Sequence, residues 1–270
     1  MKQYIDKGLN FLRHPQVLKI FELGETWAER IGLICMYFVV PALGVIICLR
    51  HWKAIDTLIA SPLLVMLAVV IASVVMGYIA EKMLEYVKPS IEQAKTSIVN
   101  GAFFDVLAFL FVIGALVTGA CTLGALFDAG IMTAFPILIA FVLSLYFAVM
   151  LLSSEKMLNV RVQSSATPAQ SLIAISALLV KAMYRIVPFA FGALMIFAVI
   201  TEVESVFVSS WKFMALSSSF TEIVLAAALL PLLSYLSFLL YYFAIDFFAA
   251  FFHIAESVGK SSDKTPNKAK

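Results

Sequence analysis

Charge, cysteine, histidine and recognisable catalytic spacing are all scarce in this 270-residue chain, and each shortage closes off a class of protein. Only 13% of the residues are charged while 63% are hydrophobic, whereas soluble domains average about 25% and about 45–50%. So much apolar surface cannot be hidden in one aqueous core of this size, which makes lipid the solvent. A net charge of +2 is too weak to hold nucleic acid. Cys35, Cys48 and Cys121 are odd in number, lie inside apolar runs and form no C-x-x-C pair. That argues against a disulfide framework and a cysteine-rich zinc site, and the thiols read as small buried hydrophobes. The histidines, His14, His51 and His253, do not supply the paired intramembrane ligands that a haem would need. H-E-x-x-H, G-x-S-x-G and Walker A spacings are missing. No catalytic, cofactor-binding or metal-ligating set is expected.

What is present is long apolar runs. Ile31–Leu49, Thr57–Ala80, Val106–Phe127, Ala129–Ser154 and Ile223–Ile245 carry no charge over 19, 24, 22, 26 and 23 residues. A helix rises 1.5 Å per residue, so ~20 residues cross the hydrocarbon layer. A sixth run, Ile186–Thr201, has only 16 residues. Upstream of it, Thr167 and Pro168 read as an N-cap and a first helical residue. One long helix from about Pro168 is expected there, amphipathic at first and then embedded, with Pro188 as a kink site. The alternative is a re-entrant segment over Ser171–Val180.

The fold class is therefore an all-α polytopic bundle of six spans, preceded by an interfacial amphipathic helix. The predicted boundaries are 1–30 for the interfacial helix and 31–255 for the membrane domain. Within the latter, spans fall at about 31–50, 57–80, 103–127, 129–154, 182–201 and 223–250. Residues 256–270, rich in Ser and Lys, read as a disordered tail attracted to anionic lipid. In residues 1–30, Tyr4, Ile5, Leu9, Leu12, Val17, Leu18 and Phe21 recur at helical spacing among Lys7, Arg13, Lys19 and Arg30, the pattern of a helix lying along headgroups. These residues mix both charge signs and lack a short apolar run before small residues, so span one is expected to act as an uncleaved signal anchor.

Orientation follows from Lys and Arg placement. With the N-terminus inside, inner segments hold sixteen of the nineteen, and outer ones only Arg50, Lys53 and Lys212. This places both termini in the cytoplasm and the chain in the plasma membrane (the inner membrane of a bacterium). Trp27 and Trp52 bracket span one and Trp211 precedes span six, at interfacial positions. The segment Glu202–Glu222, carrying Val206, Phe207, Val208, Phe213 and Met214, suggests a second interfacial helix.

Two short similarities suggest an internal parallel repeat of the kind transporters use. Glu81-Lys82-Met83-Leu84 and Glu155-Lys156-Met157-Leu158 close spans two and four, and Phe111–Leu116 resembles Phe189–Leu194. Ala115–Gly119 and Ala120–Gly124 in span three are small-xxx-small pairs that let helices pack closely, within the chain or between subunits. Pro41, Pro62, Pro136, Pro188 and Pro231 read either as broken helices exposing carbonyls to a substrate or as kinks that membrane helices tolerate.

Ionisable groups inside a membrane are the sharpest pointers to function. Asp105, Lys181, Arg185 and Asp246 all fall in one layer near the inner boundary, with Lys181 and Arg185 on one helix face. They read as a charged vestibule pairing Asp105 and Asp246 with Arg185 and Lys181, or as interfacial charges with the basic ones snorkelling. Two membrane aspartates are similar to those of intramembrane aspartyl proteases in arrangement only, since Phe104-Asp105 and Ile245-Asp246 lack the flanking Tyr and Gly motifs. That activity is not carried over.

Three function classes remain, of which a membrane-embedded enzyme has almost nothing in the sequence to support it. The mid-span polar residues are hydroxyls: Ser73, Thr118, Thr122, Ser144, Ser234 and Ser237. They can bond their own helix backbone, which favours a non-catalytic membrane subunit or scaffold. Its partners are the bilayer and other membrane subunits or further copies of itself. The alternative is a small-solute or ion transporter or channel whose vestibule faces the cytoplasm.

Overall fold

A computed structural model describes residues 2–50, 61–94, 96–98, 102–128, 130–162, 168–208 and 213–262. It is an all-α bundle with six helices long and apolar enough to cross a membrane. Trp52, Lys53, Thr167, Trp211, Lys212 and the last eight residues of the tail lie outside the described residues.

Prolines set several helix starts. A first helix, Lys2–Leu12, ends before His14, whose extended backbone and ring nitrogen cap the next helix at Pro15. From there one continuous helix, Pro15–Arg50, forms span one. The predicted segment 1–30 is thus divided: Lys2–Leu12 is a helix of its own, and residues 15–30 are continuous with span one. Within it a five-residue π turn, Cys35–Val39, precedes Pro41, and the Val40 N–H bonds Cys35 O. Proline cannot donate, and its ring clashes with the carbonyl four residues back; a local π turn absorbs both effects. Span two, Pro62–Glu85, and span five, Pro168–Val208, also begin at proline, where the missing N–H costs nothing.

Spans three and four, Ala102–Asp128 and Ile131–Leu152, form a hairpin turning at Gly130, whose φ of +83° suits glycine. Span five is a single 41-residue helix. Span six belongs to a 50-residue helix, Phe213–Ser262. Two expectations are corrected here. Residues 202–208 and 213–222 continue spans five and six rather than forming a separate interfacial helix, and residues 256–262 are helical rather than part of a disordered tail. Both corrections have one cause: a helix anchored by a packed apolar stretch propagates cheaply past the hydrocarbon boundary.

Span five is the hub, packed against spans one and six, with the three–four hairpin leaning on it. Half of its most apolar window is buried, against 11% for span three, whose surface faces outward. Two apolar clusters share this axis. One joins Met36, Ala80, Leu84, Phe191, Met195, Ala227 and Phe238 from spans one, two, five and six. The other joins Phe104, Tyr146, Met150, Leu178, Ala182 and Ile186 from spans three, four and five. In lipid such contacts are held by close packing rather than by expulsion of water.

The tightest approach is between spans one and five. A Cβ on Gly192 would lie 2.0 Å from the Ala28 carbonyl oxygen, and one on Gly32 2.9 Å from the Gly192 Cα. The small-xxx-small pairs of span three play lesser parts. Ala115 is buried and Gly119 packs under the Phe141 ring of span four, whereas Ala120 and Gly124 are exposed.

The loops after spans two and four meet at one end of the bundle, called the basic end below. Val87–Gln93 and Ser154–Met157 are short helices there, and Thr96–Ile98 pairs with Val160–Val162 as parallel strands of three residues. Asn159, at φ +49°, lets its side-chain amide donate to the Glu92 carbonyl. The loops that follow the Glu81–Leu84 and Glu155–Leu158 similarities thus pair, but the surroundings of the two segments differ. Glu81 accepts from Tyr37 of span one, while Glu155 is exposed.

Candidate functional site at the basic end

The buried face of span one runs Glu25, Ala28, Gly32. This spacing of three and four continues the stripe begun by Leu18 and Phe21, both packed on the second apolar cluster. A carboxylate is therefore carried into the bundle at 0% exposure, just beyond the apolar run of the span. Burial at this level demands partners. Tyr146 of span four donates its hydroxyl to Glu25 Oε2 at 2.8 Å. Arg185 of span five places Nη2 3.0 Å from the same oxygen, with its side chain 8% exposed. Lys88, from the short helix after span two, sets Nζ 3.5 Å from Oε1 and remains half exposed. Phe21 stacks on the Tyr146 ring at 5.6 Å, and the Phe189 ring is tilted to it at 6.2 Å. Side chains from three other helical segments thus converge on one carboxylate.

Lys181, one turn before Arg185, is fully buried and does a different job. Its ammonium donates to the carbonyls of Leu158, at 2.9 Å, and Ala94. These carbonyls lie at the ends of the two short helices, so the charge clamps the paired loops onto span five, as a cation does at helix C-termini.

The four charges expected to form one vestibule share no ion pair with one another among the described residues. Arg185 is paired with Glu25, and Lys181 with backbone carbonyls. Asp105 bonds Arg13, in the turn between the first helix and span one, with both side chains half exposed. Asp246 is exposed on span six. The expected pairing failed because it drew partners only from the apolar runs and left out residues 1–30, where Glu25 and Arg13 lie. The signal for Glu25 was present: the stripe through Leu18 and Phe21, extended by one turn, lands on it. Tyr146 carried no comparable signal, being one aromatic among 23 Phe and nine Tyr.

Beside this cluster is a cavity of about 430 Å³, lined by Lys19, Glu22, Leu23, Thr26, Lys88, Ile91, Glu92, Lys156, Met157, Asn159 and Arg185. Four cations and two carboxylates face it. Four hydroxyls within the spans bond their own helices: Ser73, Thr118, Thr122 and Ser144 each donate to the carbonyl four residues earlier at 2.8 Å. Ser234 and Ser237 line an apolar crevice between spans five and six with Tyr184 and Tyr241. Among the described residues, no three His, Cys, Asp or Glu side chains gather as metal ligands would. No protein-family model, curated protein or solved structure matches the chain.

Proposed function

We propose that this multi-pass membrane protein is a non-catalytic subunit or scaffold of a larger membrane assembly, residing in the plasma membrane with both termini in the cytoplasm. The observation that carries this reading is the state of the mid-span hydroxyls. A solute path needs polar groups turned toward a hydrated lumen near the bilayer midplane. Here Ser73, Thr118, Thr122 and Ser144 are bonded within their own helices, and span five, at the centre, buries Phe191, Met195 and Ala198. Charge is concentrated at the basic end, where the Glu25–Arg185–Tyr146 cluster ties three spans together. A scaffold needs that rigidity and a mostly apolar outer surface such as span three offers.

The competing reading, a transporter with a charged vestibule, draws on the cavity beside Arg185. Purification in mild detergent, with identification of co-purifying membrane proteins, separates the two. A stoichiometric complex supports the subunit reading. A stable lone chain that carries solute or ion flux in proteoliposomes overturns it.

A further inference from the structure

The cavity at the basic end has a composition that the scaffold reading does not require. Its walls come from four separate elements: Lys19 and Glu22 from the span-one extension, Lys88 and Glu92 from the helix after span two, Lys156 from the helix after span four, and Arg185 from span five. Lysines scattered on a surface spread apart to lower their repulsion. Here three of them converge with a buried arginine around one space of about 430 Å³, within the range of small-molecule sites.

Arg185 supplies a second observation. Glu25 engages only its Nη2 side, and its buried Nε has no hydrogen-bond partner among the described residues. Arg185 lines the cavity with its guanidinium held in place by Glu25, and a guanidinium fixed in this way is preorganised to receive an oxyanion. The buried Glu25 Oε1 likewise lacks a hydrogen-bond donor, with only the Lys88 ammonium near it at 3.5 Å. Glu22 and Glu92 on the walls call for donors on the guest beside its anion. Position along the helix suits a headgroup: Leu23 lines the cavity about two turns before the apolar run that begins at Ile31, and it is exposed along with Ile20 and Trp27 on the same helix. Basic pockets between spans at this level suit phosphate headgroups.

We propose that this cavity binds a phosphate ester whose alcohol portion carries hydroxyl or amino donors. The phosphate contacts Lys19, Lys156 and Arg185, and the donors contact Glu22 and Glu92. The ester is either an anionic lipid headgroup of the inner leaflet or a free phosphate ester at that surface. The site stands whether or not the chain is an assembly subunit, because the walls belong to this chain alone.

Binding to the full-length protein in mild detergent is measured by native mass spectrometry, with phosphatidylglycerol, phosphatidylcholine and glycerol 3-phosphate as probes. Phosphatidylglycerol should occupy one saturable site in preference to phosphatidylcholine, whose choline offers no donor. Lys156→Glu, at an exposed position outside the buried cluster, should weaken it by about tenfold or more. Lys7→Glu, on the first helix and away from the cavity, should change it by less than about twofold. Binding of glycerol 3-phosphate with the same dependence on Lys156 assigns the free ester; binding of the lipid alone assigns the headgroup. No saturable binding of any probe, equal retention of phosphatidylcholine, or equal loss in the Lys7 and Lys156 variants overturns the proposal.

Discussion

Replacing Glu25 with Gln tests the central physical claim, that one buried carboxylate ties spans one, four and five together. Gln keeps the volume and an acceptor for the Tyr146 hydroxyl, so the change isolates the charge. Arg185 then remains 8% exposed with no counterion on its Nη2 side. At 3.0 Å and an effective dielectric of ~20, the lost attraction is about 5 kcal/mol before desolvation is counted. Losing one partner of a buried pair costs about 3–5 kcal/mol. Glu25→Ala should cost about 1–2 kcal/mol more, since Tyr146 also loses its acceptor. Lys88 is half exposed, and Lys88→Ala should cost no more than about 1 kcal/mol because water screens it.

The assay is thermal unfolding in detergent, followed by loss of the monodisperse species on size exclusion. At about 2–4 °C per kcal/mol for a chain of this size, Glu25→Gln should lower the midpoint by about 6–20 °C. Arg185→Met alone should lower it comparably, by leaving the carboxylate with only Tyr146 and the distant Lys88. The double variant Glu25→Gln/Arg185→Met removes both charges and should recover most of the loss, because buried ion pairs exchange with apolar groups at little net cost. Two single variants as stable as the parent, or a double variant as damaged as the sum of the singles, would refute the reasoning.

Gly192→Leu should drive spans one and five apart, because its Cβ would lie 2.0 Å from a backbone carbonyl that cannot yield; the loss should be about 3 kcal/mol or more, read by the same assay. Gly124→Leu, with no atom within 4 Å of its Cβ, should leave the midpoint within about 2 °C of the parent and serves as the control. Lys181→Met should free the Ala94 and Leu158 carbonyls, lower stability by about 1–3 kcal/mol, and speed hydrogen exchange across residues 94–98 and 158–162. For orientation, cysteines placed at the exposed positions Asp128 and Glu155 should react with an impermeant maleimide from opposite faces of the membrane. Labelling of Glu155→Cys from outside intact cells would place both termini outside and overturn the charge-based orientation.

Much of the architecture follows from local physics that the chain displays openly. Apolar runs of 19 to 26 residues can exist only as helices in lipid, because no water is present to satisfy an open backbone. Pro168 marks the start of the 41-residue helix because proline is free of penalty only in the first turn. The pairing of the loops after spans two and four was not legible. It depends on Lys181 reaching carbonyls from residues 23 and 87 positions away in sequence, and no local preference encodes such a contact.

What the sequence alone determined is the membrane, the six long helices and the concentration of basic residues in alternate loops, since hydropathy and charge count are properties of the chain itself. Which charges meet was decided by tertiary structure. Asp105, Lys181, Arg185 and Asp246 lie in one layer by sequence distance, yet depth is one coordinate, and partnership also requires azimuth around each helix and the order of helices around the bundle. Glu25 became the partner of Arg185 because Ala28, Gly32 and Gly192 let spans one and five approach until backbone met backbone. That close approach left the carboxylate no solvent but the side chains of its neighbours.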